Sequence, residues 1–180
     1  MEDAQILTLF ADPATREAAF AHLVRKYQSK LYWHVRKMVG GHEDADDLLQ
    51  DIFMKVWRAL PNFRQDAQLF TWLYRIATNE CLSFLGSRKR KVLLPMSEAG
   101  ELLAARLPAD ELTDGDALER RLQLAIEALP PKQRLVFNLR YYDEMPYEQM
   151  AAVTGTSVGA LKASYHHAAH KVEEFMTRHD

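Results

Sequence analysis

The amino-acid sequence predicts an all-α protein: two small helical domains, residues 1–91 and 118–180, joined by an acidic flexible linker over residues 92–117. Three observations predict it. On both sides of the linker apolar residues recur at spacings of three and four, the period of a helix packed on one face, and the alternation of a β-strand is absent. The stretch Val92 to Ala117 interrupts that period with Pro95, Gly100, Pro108 and Gly115 set among Asp and Glu. Charge divides at the same places: residues 1–91 carry 14 basic and 11 acidic side chains, residues 92–117 carry 1 and 6, and residues 118–180 carry 8 and 8.

In the first domain the pattern predicts helices over Ala14 to Val39, Glu43 to Ala59 and Gln68 to Lys89, with Gly40-Gly41 and Pro61-Asn62 breaking the chain between them. A short helix over Glu101 to Arg106 is compatible with Leu102, Leu103 and Leu107 inside the linker. In the second domain helices are predicted over Asp116 to Ala128, Pro131 to Tyr142, Pro146 to Thr154 and Ser157 to Met176. Pro130-Pro131 sits where a helix can begin but not continue.

A chain of 180 residues, 48% of them apolar, can bury a core for one ordinary domain or two small ones. No run of about twenty apolar residues is present, and the start MEDAQILTLF lacks the basic-then-apolar order of a signal sequence, so a cytosolic protein without membrane insertion is expected. The one cysteine, Cys81, has no Cys or His at metal-ligand spacing and reads as a small core residue. There is no Gly-rich phosphate loop, no recognisable Ser or Cys nucleophile and no paired zinc motif, which argues against an enzyme; no cofactor or metal is expected. The net charge of -2 speaks weakly against a nucleic-acid partner, since phosphate contacts need Lys and Arg, but the negative charge is concentrated in the linker.

Pro146 to Lys162 reads as a helix-turn-helix. Met150, Ala151 and Val153 suit the inner face of a short first helix, and Gly155 suits the turn. Ser157 can cap a second helix whose Val158 and Leu161 face inward and whose Lys162, Tyr165 and His166 face outward. Such a helix fits the DNA major groove, although a plain helical hairpin carries the same pattern. In the first domain, Asp44 to Trp57 sets Leu48, Leu49, Ile52, Phe53, Val56 and Trp57 on a broad apolar face, with Asp47, Gln50, Asp51 and Lys55 largely opposite. Periodicity alone names no partner for that polar face. From Pro61 to Lys91 aromatic and basic residues interleave: Phe63, Arg64, Phe70, Trp72, Tyr74, Arg75, then Arg88, Lys89, Arg90 and Lys91. This combination suits single-stranded nucleic acid, because rings stack on unpaired bases while cations hold the backbone, and an Asn such as Asn79 can hydrogen-bond an extruded base. Phe70, Leu73, Ile76 and Ala77 are expected to be core; Trp72 and Tyr74 cannot both share that inner face.

Taken in order, these segments resemble the extracytoplasmic-function group of bacterial RNA polymerase sigma factors over almost the whole chain outside the linker. Asp46 to Trp57 is similar to the group's polymerase-binding helix, Asn62 to Asn79 to its promoter-melting segment, and Leu129 to Lys162 to its promoter-reading carboxy-terminal domain. The resemblance implies that Asp47, Gln50, Asp51 and Phe53 meet core RNA polymerase. It implies that Phe63, Tyr74 and Asn79 help form the pocket for a flipped base of the minus-ten element, with Arg64, Trp72, Arg75, Arg88, Lys89 and Arg90 along the strand. For the minus-thirty-five element it implies Ser157, Lys162, Ser164, Tyr165, His166, His167, His170 and Lys171. It also implies an anti-sigma factor as partner, often membrane-anchored in the family.

The last helix departs from the family pattern. Lys162 to Lys171 has His and Ala where arginines are common, so two firm cations remain and weak binding of isolated duplex DNA is expected. A stand-alone helix-turn-helix regulator is the rival reading. It accounts for the second domain but leaves the Asp47 to Phe53 face and the aromatic-basic segment without a role, whereas a helical interaction protein would leave Arg88 to Lys91 as a solvated helix end.

Overall fold

The computed structural model describes residues 1–91 and 114–178. Its elements are α1 Asp3–Ala11, α2 Arg16–Val39, α3 His42–Ala59, a single 3-10 turn Leu60–Asn62, α4 Leu69–Lys91, α5 Asp114–Glu127, α6 Pro131–Tyr141, α7 Tyr147–Thr154 and α8 Val158–Arg178. The described residues hold no strand, and they fall into two units, Met1–Cys81 and Leu82–Asp180, with the division inside α4. The expected linker and the short helix over Glu101 to Arg106 lie outside the described residues up to position 113. From Asp114 to Ala117 the chain is the first turn of α5 rather than linker.

In the first unit α2 buries Ala19, Leu23, Tyr27, Leu31, His34, Val35 and Met38, which recur at three and four. It stops where Gly40 adopts φ 79°, a left-handed conformation open to glycine, and its N–H donates to Arg36 O at 3.1 Å. Past the break, α3 buries Ala45, Leu48, Ile52 and Val56. α4 is tied to both: His34 Nε2 and Thr78 Oγ1 are 3.1 Å apart in the core, and Lys55 Nζ meets Glu80 Oε1 at 2.5 Å on the surface.

Helix α1 was not legible in the sequence. It offers only Ile6 and Phe10 as buried positions, too few to set a period, and is held by its neighbours. The Phe10 ring lies 5.4 Å from Trp57 of α3, and Phe20 of α2 lies 5.0 Å from the same indole and 6.4 Å from Phe53. Asp3 accepts from Lys26 at 2.8 Å and from the Tyr27 hydroxyl at 2.7 Å. The turn after α1, with Thr15 N–H donating to Asp12 O at 3.1 Å, moves the start of α2 from the expected Ala14 to Arg16.

In the second unit Ala125, Ile126, Leu129, Phe137, Ala168 and Val172 form the core, drawn from α5, the turn after it, α6 and α8. Pro131 opens α6, and the Arg134 guanidinium folds back on Glu127 O and Leu129 O, which satisfies carbonyls at the end of α5. Met150 and Val153 of α7 and Leu161 of α8 are buried on either side of Gly155, whose φ is 71°. The tripeptide Gly155 to Ser157 is the turn of the expected helix-turn-helix. Ser157 Oγ accepts from Ala160 N–H at 3.3 Å and so caps α8.

Candidate nucleic-acid interface

On α3, Asp47, Gln50 and Asp51 are all exposed and share one line of the helix. Met54 continues that line and is 49% exposed, an apolar surface side chain that the sequence reading did not single out, although its spacing of seven from Asp47 and four from Gln50 marks it. Phe53 is half-buried on the neighbouring side, edge-on to Phe20.

The loop before α4 turns at Gln65, which has φ 59°. It brings Phe63 back over the helix, where its ring lies 4.9 Å from Trp72 at an interplanar angle of 41°. Beside this pair a groove of about 770 Å³ runs between Asp3, Ala4 and Leu7 of α1 and the segment Gln65 to Leu69. Along α4, Trp72, Arg75 and Asn79 occupy one outward line; Arg75 and Asn79 are exposed, Trp72 half-buried. Seven residues separate Trp72 from Asn79, about 10 Å of helix. Arg64 and Arg88 are exposed too, the latter with its guanidinium 5.9 Å from the centre of the Phe84 ring. The side chains of Lys89 and Arg90 lie outside the described residues.

Tyr74 is a correction. Expected at a flipped base, it is 4% exposed, with its ring 4.3 Å from Phe70 and 4.9 Å from His34, and its hydroxyl donates to Lys30 O at 3.5 Å. Two faces of the ring are already covered, so Tyr74 is core and Trp72 alone of the pair faces outward. Leu73 and Ala77 are buried as expected, whereas Phe70 and Ile76 are half-exposed and Leu69, Thr78 and Cys81 take the inner positions instead.

On α8, His166, His167, His170, Lys162 and Lys171 are exposed and Ser164 is half-buried. Lys162 Nζ lies 5.7 Å from the centre of the Tyr147 ring, and Lys171 Nζ donates to Gln133 Oε1 at 3.0 Å. Tyr165 is the second correction: half-buried, its ring stacks on Phe137 at 5.8 Å and packs against the core, because four residues after Leu161 it falls on the inner face. The middle of the solvent face is instead Gly159, Ala163, His166 and His170. Gly159 and Ala163 were not singled out in the sequence because Gly and Ala carry no signal for the solvent side of a helix.

Comparison with known proteins gives matches over both units. Residues 23–91 match Sigma-70 region 2, and residues 119–171 match Sigma-70 region 4. The chain is 31% identical over 166 residues to the RNA polymerase sigma-H factor of Pseudomonas aeruginosa, covering 87% of this chain and 85% of that one. It is 30% identical over 165 residues to the ECF RNA polymerase sigma-E factor of Escherichia coli, covering 87% and 86%. Among solved structures it is similar to CnrH in complex with the cytosolic domain of CnrY, at a TM-score of 0.69 and 24% identity over 99% of both chains. It is also similar to the sigma factor RpoE in complex with the anti-sigma factor NepR from Bartonella quintana, at 0.64 and 22% over 88% and 96%.

Proposed function

We propose how this chain works at a promoter, given that it belongs to the sigma-70 family of RNA polymerase sigma factors and, within it, to the extracytoplasmic-function (ECF) group. It is a transcription initiation factor that binds core RNA polymerase and directs it to promoter DNA. In our reading residues 1–91 hold the polymerase and open the minus-ten element, residues 92–113 tether, and residues 114–180 read the minus-thirty-five element. The single observation that carries the residue assignment is the line Trp72, Arg75, Asn79 on the solvent side of α4, beside Phe63 and its groove.

Core polymerase meets Asp47, Gln50, Asp51 and Met54, with Phe53 at the edge. At the minus-ten element, the Phe63–Trp72 pair offers ring faces to unpaired bases, Arg64, Arg75, Arg88, Lys89 and Arg90 hold phosphates, and Asn79 hydrogen-bonds a flipped base. Stacking is worth about 1–3 kcal/mol per base, enough to offset an unstacking cost of a few kcal/mol, so opening needs no hydrolysis by this chain and no catalytic residue. At the minus-thirty-five element, α8 enters the major groove by the face of Gly159, Ala163, His166 and His170, with Ser157, Lys162, His167 and Lys171 reaching phosphates. Glycine and alanine there let the helix backbone approach the groove floor, so shape complements a small cationic count. The chain acts in the cytoplasm, and an anti-sigma factor covers these faces until a signal releases them. Among the described residues no helix is long and apolar enough to cross a membrane.

Run-off transcription with core polymerase tests the reading. Wild-type protein is expected to give specific start sites, Asp47→Ala with Gln50→Ala to lose core binding, and Asn79→Ala to bind core but open promoters poorly. If polymerase is neither bound nor redirected while the protein alone shifts duplex DNA, the stand-alone regulator replaces this reading.

A further inference from the structure

Helix α8 gathers His166, His167 and His170 within a little over one turn, and all three are exposed. They fall in register with its lysines. Lys162, His166 and His170 recur every four residues along one stripe, and His167 and Lys171 stand four apart along the next, so a nitrogen-bearing side chain follows about every 6 Å of helix. From Val158 to Lys171 the helix has no acidic residue. Its charge there comes from Lys162 and Lys171 alone while the imidazoles are neutral, and rises by three when they are protonated. Imidazole is the side chain that makes this change between about pH 5 and 8.

The packed helices leave these rings to the solvent side. α8 turns Leu161, Ala168 and Val172 toward the core. Toward it α5 brings Arg121, which donates to Met176 O, α6 brings Gln133, which accepts from Lys171, and α7 brings Tyr147, whose ring lies against Lys162. None of the three meets an imidazole. Among the described residues the carboxylate paired with them is Glu174 of α8 itself, 4.0 Å from His170, while His166 and His167 stand beside each other with ring centres 6.0 Å apart. We propose that His166, His167 and His170 couple promoter affinity to pH: duplex DNA at α8 takes up protons on these imidazoles, so binding strengthens as pH falls and weakens as pH rises. The proposal rests on the reading of α8 as the helix that enters the major groove. Two effects act in the same direction. The negative potential of the duplex favours the charged ring over the neutral one. A protonated ring also donates from both nitrogens, whereas a neutral one donates from one and accepts at the other. His166 and His170, on the groove face, thereby gain a second donor for the acceptors N7 and O6 of guanine, and His167 gains a charge for a phosphate.

The test measures, by fluorescence anisotropy at low salt, binding of the full-length chain to a labelled duplex from the minus-thirty-five region of a promoter found by run-off transcription. Ionic strength is held constant while pH runs from about 6 to about 8. Wild-type affinity is expected to fall about tenfold over this range, and the slope of log affinity against log salt to be steeper at the acid end by about 0.9 for each imidazole that neutralises a phosphate. The triple variant His166→Gln, His167→Gln, His170→Gln is expected to bind at every pH as the wild type does at the alkaline end. His166→Arg with His167→Arg is expected to bind tightly throughout. Because all three positions are exposed, the melting temperatures of these variants should match the wild type. Lys162→Ala, which removes a permanent charge, runs alongside and is expected to weaken binding alike at both ends. If Lys162→Ala weakens binding but wild-type affinity is flat with pH, or the triple variant keeps the pH dependence, the coupling is overturned and the reading of α8 stands. If neither Lys162→Ala nor the triple variant loses affinity at the acid end, both are overturned.

Discussion

Replacing Tyr74 by alanine separates a core role from a DNA role, because the two predict opposite results. The ring is 4% exposed and lies between Phe70 and His34, so truncation leaves a cavity the size of a phenol beside them. Aromatic-to-alanine changes at such sites cost about 3–5 kcal/mol, and the lost ring pairs bring this one toward the upper half of that range. The hydroxyl contributes little, since its bond to Lys30 O is 3.5 Å long. Tyr74→Phe is therefore expected to stay within about 1 kcal/mol of the wild type. Urea unfolding followed by tryptophan fluorescence measures this cleanly: the chain has 3 tryptophans, Trp33, Trp57 and Trp72, all in the first unit, so the signal is blind to the second. With a slope of about 1.5 kcal/mol per molar urea, a loss of about 4 kcal/mol lowers the midpoint by roughly 2.5 M for Tyr74→Ala. An unchanged midpoint combined with lost promoter opening would refute the burial argument and return Tyr74 to the base pocket.

Four further outcomes are expected. Met54→Ser removes an exposed apolar contact, so the urea midpoint should move by less than about 0.5 kcal/mol equivalent while affinity for core polymerase, read by fluorescence anisotropy, falls several-fold. Gly155→Ala meets no atom within 4 Å, so its cost is the left-handed backbone alone, about 1–2 kcal/mol, visible as a lower melting temperature of the second unit by tyrosine circular dichroism. Burial, reinforced by the charge of Glu80, pushes the Cys81 thiol from its ordinary 9.0 up to about 12, so native protein at pH 8 should react with iodoacetamide far more slowly than urea-unfolded protein. Because the unfolded thiol ionises first, that group's contribution to stability is full below about pH 9 and is lost as pH rises from 9 toward 12; a titration that stabilised the fold in this window would contradict the assignment. Finally, the isolated chain should shift minus-thirty-five duplex weakly at physiological salt, since α8 has only Lys162 and Lys171 as firm cations before Glu173, and tight binding in a gel shift would contradict this.

Much of the architecture was readable along the chain. Helices α2 to α8 begin and end within two residues of their expected limits, because their apolar residues repeat at three and four and their breaks fall at Gly40-Gly41, Pro61, Pro130-Pro131 and Gly155, where backbone chemistry is local. The helix-turn-helix and the family resemblance were readable for the same reason, since turn and cap residues act over a few positions. Helix α1 was not: its nine residues become a helix by seating Phe10 on Trp57 and Phe20 and by tying Asp3 to Lys26 and Tyr27, partners ten or more positions away.

Periodicity places a residue on a helix, but only the neighbouring helices decide which of its sides is solvent. From the sequence Trp72 and Tyr74 were equal candidates for the outside of α4, as were Tyr165 and His166 on α8. Packing of His34 and Phe70 took Tyr74 inward, and Phe137 took Tyr165, leaving Trp72 and His166 at the surface. The same packing left Trp33 in solvent on α2, where residue type alone suggests core. The sequence by itself determined the helices, their breaks and the family, all carried by short-range chemistry; the tertiary structure alone decided which aromatics are buried and which stay at the surface, because burial is a property of contacts between segments distant along the chain.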